Sequence, residues 1–123
     1  MKVLIADDSD LISGRLVETL SKVTGIDAID LAKTVSEASE AAGRLNPDVI
    51  VLDIQMPGGT GFDVLDYMKR TQVRSTVIVL TNFAYPQYRK KAFEHGASFF
   101  LDKSSDFTKV RDVIEQLMHK TSS

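Results

Sequence analysis

Four short runs of β-forming residues constrain this chain most: "VLIA" at 3–6, "VIVL" at 49–52, "VIVL" at 77–80 and "FFL" at 99–101. Each run is continuous rather than alternating. That pattern suits strands covered on both faces, as in a parallel sheet. A weaker candidate, "IDAIDLA" at 26–32, carries Asp27 and Asp30 and reads as an edge strand.

Helical patterns fill the intervals. Residues 10–23 place Leu16, Val17, Leu20 and Val23 on one face, with Gly25 at the expected C-terminal cap. Thr34 and Glu37 have capping-box spacing ahead of a stripe of Val35, Ala38, Ala42 and Leu45, and Asn46-Pro47 stops that helix. Phe62, Leu65 and Met68 mark a third helix. Pro86 to His95 marks a fourth, ended by Gly96. Phe107, Val110, Ile114 and Leu117 mark a fifth. A β-α unit repeated five times argues a doubly wound α/β sheet with right-handed crossovers.

The 123 residues read as one domain over 1–123 with no output domain, either a stand-alone protein or part of a longer one. No apolar run approaches the roughly 20 residues of a membrane span, and the short, acidic N-terminus does not suit a signal peptide. A cytoplasmic location is expected. The absence of cysteine excludes disulfides and cysteine-ligated zinc. A net charge of −2 with both signs interspersed gives no basic footprint for direct nucleic-acid contact.

Ligands of open α/β sheets bind beyond the carboxyl ends of the strands. There this chain places Asp7 and Asp8, then Asp53, then Thr81 and Asn82, then Asp102 and Lys103. Two carboxylates about 4 Å apart repel by about 4 kcal/mol at an effective dielectric near 20. Such a cluster needs a raised pKa, a cation, or distance. Oxygen donors without nearby His or Cys suit a hard divalent ion such as Mg²⁺. Lys103 and Thr81 suit phosphate oxygens, and a carboxylate can accept a phosphoryl group covalently. Ser9 and Asp10 read as helix-capping residues. His95 and His119 fall near helix C-termini and read as neither ligands nor catalytic groups.

With these residues in place the chain resembles a response-regulator receiver domain of two-component signalling, from Lys2 to about Met118. The resemblance rests on Asp7-Asp8, on Asp53 within "VLDIQMPGGTG", on Thr81 and on Lys103 preceded by Phe100. It implies a flavodoxin-like sheet of order 2-1-3-4-5 and a phosphorylation-dependent switch rather than a turnover enzyme. Asp53 would accept phosphoryl from a histidine kinase or histidine phosphotransfer protein. Mg²⁺ (or Mn²⁺) would be held by Asp8, Asp7, Asp53 and the backbone carbonyl of Gln55. Lys103 and Thr81 would bind the phosphoryl group. Phe100 would shift inward and remodel a protein-binding face of the fourth helix, fifth strand and fifth helix. Plain core packing is the alternative for Phe100.

Two departures from the family pattern stand out. Ser104 replaces the usual proline after Lys103, so that bond is either trans in a rearranged loop or cis and held by local contacts. Asn82 and Phe83 follow Thr81. They either modulate access to the phosphoryl site or point to solvent. A constitutive scaffold and a flavodoxin-like cofactor binder are the rival readings. The full acidic set weighs against the first, and the acidic "DDSD" turn against the second.

Overall fold

The structure, a computed structural model, describes residues 1–121. Its elements are β1 (Lys2–Ala6), α1 (Asp10–Leu20), β2 (Ala28–Ala32), α2 (Val35–Leu45), β3 (Val49–Leu52), β4 (Gln55–Met56), β5 (Gly59–Thr60), α3 (Gly61–Thr71), β6 (Thr76–Thr81), α4 (Pro86–Glu94), β7 (Phe99–Asp102) and α5 (Lys109–Thr121). Five strands form one parallel sheet in the order β2-β1-β3-β6-β7. This is the expected doubly wound, flavodoxin-like architecture, with β2 at an edge.

Alternate residues of the central strands enter two separate cores. Leu4, Ile50, Leu52, Val77 and Val79 pack under α2, α3 and α4 with Ala38, Ala42, Phe62, Leu65 and Met68. Val3, Ile5, Val49, Val51, Ile78 and Leu80 pack under α1 and α5 with Leu16, Leu20, Val110 and Ile114. Full burial of each large side chain is worth about 1.5–3 kcal/mol relative to exposure. Both faces of the sheet are therefore apolar, which is why the runs are continuous.

Local chemistry sets the boundaries, and several differ from expectation. α1 ends at Leu20 with Ser21 as its cap, and Gly25 (φ +104°) belongs to the turn beyond. Turn and bend residues over 21–25 then lead the chain toward β2. β2 begins at Ala28 rather than 26; just before it the Gly25 carbonyl and the Asp27 carboxylate accept from the N-terminal ammonium. Thr34 caps α2 by accepting from the Glu37 amide at 3.0 Å, and Asn46 closes it in the left-handed region at φ 46°. α5 starts at Lys109, so Phe107 packs from the preceding turn.

The hairpin of β4 and β5 was absent from the strand pattern, being two residues a side. Its turn is Pro57-Gly58, with Gly58 at φ +90°. Pro57 presets its own φ and glycine supplies the positive one, as a type II turn requires.

Candidate functional site

Four strand ends converge on one rim. β1 leads into Asp7, whose amide donates to the Ala32 carbonyl at 3.0 Å. β3 leads into Asp53, whose amide donates to the Ala6 carbonyl at 2.9 Å. Thr81 ends β6, and Lys103 follows β7 with its amide on the Thr81 carbonyl at 3.0 Å. The parallel ladders thus continue one residue past the strands and fix each side chain relative to its neighbours.

Asp7, Asp53, Thr81 and Lys103 are all buried, at 3%, 6%, 0% and 8% exposure, whereas Asp8 is exposed. Lys103 Nζ lies 2.7 Å from Asp7 Oδ2 and 2.9 Å from Asp53 Oδ2. The remaining oxygens are held by backbone: Ser9 N–H donates to Asp7 Oδ1 at 2.9 Å, and Ile54 N–H to Asp53 Oδ1 at 2.8 Å. Burial pushes the Asp53 carboxyl above the ordinary aspartate range. Lys103 opposes that rise and the Asp7 carboxylate adds to it. Burial alone would lower the Lys103 ammonium, but its hydrogen bonds to Asp7 and Asp53 outweigh this and hold it above the ordinary lysine value. One cation is therefore shared by two buried acids.

Asp7, Asp8 and Asp53 each offer a carboxylate oxygen within 4.8 Å of the others. Asp8 makes no hydrogen bond or ion pair with any described residue. An all-oxygen set with an unengaged carboxylate fits a hard divalent cation. Gln55 is exposed on β4 beside these acids and lines the same cleft. That cleft is shallow, about 340 Å³, and is also lined by Ser9, Met56, Pro57, Asn82, Phe83 and Lys103.

Other expected residues separate from this group. Asp102 turns away: its carboxylate accepts from the Ser104 amide at 2.8 Å and the Ser104 hydroxyl at 2.7 Å, which hold it below the ordinary aspartate range. The Lys103–Ser104 bond is trans, the first of the two alternatives. Ser9 is the N-cap of α1, accepting from Ile12 N–H at 3.3 Å. Asp10 is no cap: it lies within the first turn and pairs with Lys33 at 2.6 Å. Phe100 is buried in the α4-side core. Asn82 and Phe83 are both exposed at the cleft mouth, and the Phe83 amide donates to Thr81 Oγ1 at 3.0 Å. His95 caps α4 with its Nδ1 2.7 Å from Asp66 Oδ1 and does not line the Asp53 cleft, and His119 is exposed on α5.

Gly61 escaped the sequence reading. Its amide donates to the Ile54 carbonyl at 2.7 Å, and a Cβ there would strike the Asp53 carbonyl oxygen. α3 thus starts hard against the backbone of Asp53. A glycine following the "MPGG" turn was the available signal.

Comparison with known proteins places this geometry. The family described as response regulator receiver domain matches residues 3–115. The transcriptional regulatory protein DesR of Bacillus subtilis is 29% identical over 97% of this chain and 59% of its own length. A protein-glutamate methylesterase/protein-glutamine glutaminase of Hahella chejuensis is 32% identical over 99% of this chain and 33% of its own length. The chain therefore spans only a part of such relatives. Among solved structures, the receiver domain of Francisella response regulator 1452 superposes with a TM-score of 0.87 at 26% identity, covering 98% of each chain. The CheX-CheY-BeF3-Mg²⁺ complex of Borrelia burgdorferi contains a chain matching at 0.84 and 28% identity, with 96% of this chain and 89% of that one covered. No helix among the described residues is long and apolar enough to cross a membrane. The matched span runs from Val3 of β1 through the other four strands of the sheet and takes in every residue of the acidic rim, and the chain belongs to the response regulator receiver domains of two-component signalling.

Proposed function

We propose that Asp53 is the phosphoacceptor of this receiver domain. The observation that carries this is the Lys103 ammonium held between the buried Asp7 and Asp53 carboxylates, with Asp53 and Lys103 lining a cleft. A carboxylate oxygen of Asp53 attacks the phosphorus of a phosphohistidine on a histidine kinase or histidine phosphotransfer protein. A P–O bond forms, the P–N bond breaks, and its electron pair leaves with the imidazole nitrogen. Asp8, Asp7, Asp53 and the Gln55 carbonyl would hold Mg²⁺ or Mn²⁺, which when bound offsets negative charge on the phosphoryl oxygens. The BeF3-Mg²⁺ complex of a related chain supports that choice of ion.

Lys103 then exchanges its contact with Asp53 for one with a phosphoryl oxygen, supplying fixed positive charge where negative charge accumulates. Thr81 already accepts the Phe83 amide, which leaves its hydroxyl proton available to the phosphoryl group. The new contacts favour one of two arrangements of the β6–α4 segment and shift the population toward it. Phe100 follows by repacking within the core under α4, and the α4–β7–α5 face changes with it. Asn82 and Phe83 stand at the cleft mouth and set the phosphoryl lifetime. Asn82→Ala changes the autodephosphorylation rate on this reading, and an unchanged rate removes the role. The domain acts in the cytoplasm through protein contacts and is not a turnover enzyme.

Incubation with acetyl phosphate and Mg²⁺ tests the central assignment. Intact mass shows one phosphoryl adduct on the native chain and none on Asp53→Asn. No adduct on the native chain in Mg²⁺ refutes it.

A further inference from the structure

The lysine that two buried carboxylates share leaves the sheet at its edge. Among the described residues β7 pairs with β6 alone, so its outward amides face no neighbouring strand. Lys103 follows β7 directly, and its own amide is tied inward to the Thr81 carbonyl at 3.0 Å. The ladder ends there. Where the family pattern has a proline next, which presets one backbone torsion, Ser104 presets none.

Side chains fix the chain beyond Lys103 instead. Asp102 Oδ1 accepts from the Ser104 amide at 2.8 Å and from the Ser104 hydroxyl at 2.7 Å. The outward amide of Asp102 donates to Asp106 Oδ2 at 3.0 Å, and the Asp106 amide donates back to the Asp102 carbonyl at 2.7 Å. Asp106 is tied in turn to the start of α5. Its other oxygen meets Lys109 Nζ at 3.0 Å, and its carbonyl accepts the Lys109 amide at 2.9 Å. Hydrogen bonds hold both carboxyls below the ordinary aspartate range, the Ser104 hydroxyl's foremost for Asp102 and the Asp102 amide's foremost for Asp106. Lys103 is therefore fastened from both sides, to β6 by its own amide and to α5 through two aspartates.

Neither of these aspartates pairs with the buried cation. The Lys103 ammonium meets Asp7 and Asp53, and Lys103 and Asp53 take their shifts chiefly from burial, from each other and from Asp7. Asp102 and Asp106 act on the backbone that carries the lysine.

We propose that Asp102, Ser104 and Asp106 are positioning residues for Lys103: their turn fixes the backbone from which the buried ammonium reaches Asp7 and Asp53 together. The tolerance is small. The ammonium lies 2.7 Å and 2.9 Å from the two carboxylates, and a shift of about 1 Å takes one contact beyond hydrogen-bond range. The consequence for phosphotransfer rests on the reading of Asp53 as phosphoacceptor, although the positioning does not.

The test is timed intact mass with acetyl phosphate and Mg²⁺, beside the carboxyl ¹³C resonances of Asp7 and Asp53 recorded without phosphodonor. Asp102→Ala slows adduct formation about tenfold and moves both resonances, although Asp102 bonds to neither acid, with unchanged far-UV circular dichroism. Asp102→Asn keeps an oxygen for the Ser104 donors and stays within about threefold of the native rate. Ser104→Pro removes both donors, and in that background Asp102→Ala adds less than about twofold. Asp106→Ala removes the acceptor of the Asp102 amide and repeats both changes, and it stands in should Asp102→Ala lose its circular dichroism signal. Native rates with unmoved resonances overturn the proposal. So does equal slowing by Asp102→Ala and Asp102→Asn, which points to charge alone, and so does slowing with unmoved resonances. Moved resonances without slowing uphold the positioning and remove its bearing on phosphotransfer. If the native chain forms no adduct, the phosphoacceptor reading falls and the resonances alone uphold or remove the positioning.

Discussion

Replacing Lys103 by methionine should cost about 3–5 kcal/mol of stability at neutral pH, because it strips from two buried carboxylates the one cation that pairs with them among the described residues. The magnitude follows from the geometry. Asp7 and Asp53 offer oxygens within 4.8 Å of each other, so two unit charges at that distance repel by about 3.5 kcal/mol at an effective dielectric of 20. Methionine fills the lysine stem's volume, which keeps cavity effects small. The deficit must depend on pH with a definite sign. Burial already holds the Asp53 carboxyl above its ordinary range, and loss of Lys103 raises it further. A carboxyl raised in the folded state costs stability as pH climbs from the unfolded value through the folded one. The deficit should therefore shrink toward acid and reach its full size above the folded pKa. At the proposed cation site, Mg²⁺ at about 100-fold over its dissociation constant would stabilise a chain by about 2.7 kcal/mol, and it should narrow the deficit because the variant lacks the ammonium that competes with the ion. Urea denaturation of native and variant chains, at acid and neutral pH and with and without Mg²⁺, measures each effect. Adding Asp53→Asn to the variant should recover part of the loss. A deficit below about 0.5 kcal/mol at neutral pH, or one independent of pH and Mg²⁺, refutes the shared-cation account.

Gly61→Ala should destabilise the fold by about 1–3 kcal/mol and slow phosphorylation by acetyl phosphate, since the added methyl meets backbone rather than a movable side chain; chemical denaturation and timed intact mass check the two effects together. Asp27 is held below the ordinary aspartate range by the N-terminal ammonium, through a 2.6 Å hydrogen bond and its charge. Its contribution is present above the unfolded carboxyl value and lost as pH falls through the folded one, so Asp27→Asn should flatten that part of the acid limb, with carboxyl NMR titration reading the site directly.

The fold was legible because both faces of the sheet are covered. Val49 to Leu52 can all be apolar only if each side chain, whichever way it points, meets a core, and this reads as a parallel strand without further information. The acidic rim was legible for a related reason: in a parallel sheet all strands end at the same edge. Asp102 was misleading because the same rule brought it to the rim, while a two-residue Ser104 turn decided its direction. The β4–β5 hairpin was too short to show a period, and α1 ends at a Ser21 cap ahead of the Gly25 to which the pattern pointed. Gly61 was marked only as one more glycine after the "MPGG" turn; its reason, the carbonyl of a residue eight positions earlier in the chain, is a tertiary approach that the turn pattern does not specify.

On the proposed switch, α4 is the helix on which a change at the rim would be read most readily. α3 buries Gly61, Phe62, Val64, Leu65 and Met68, and its first residue is pinned to the Ile54 carbonyl. Displacing it would forfeit several side chains' worth of burial, at about 25 cal/mol per Å² of apolar surface. α4 buries one alanine, and its other ties are partial: Tyr88 against Phe62, His95 to Asp66, and Arg89 to the Phe100 carbonyl at a long 3.5 Å. A contact change of a few kcal/mol at Thr81 is small against the anchoring of α3 but comparable with that of α4. The segment from Thr81 through Phe83 to Tyr85 joins the rim directly to the first turn of this weakly held helix. The same economy of burial leaves the outer rings and cations of α4 in water.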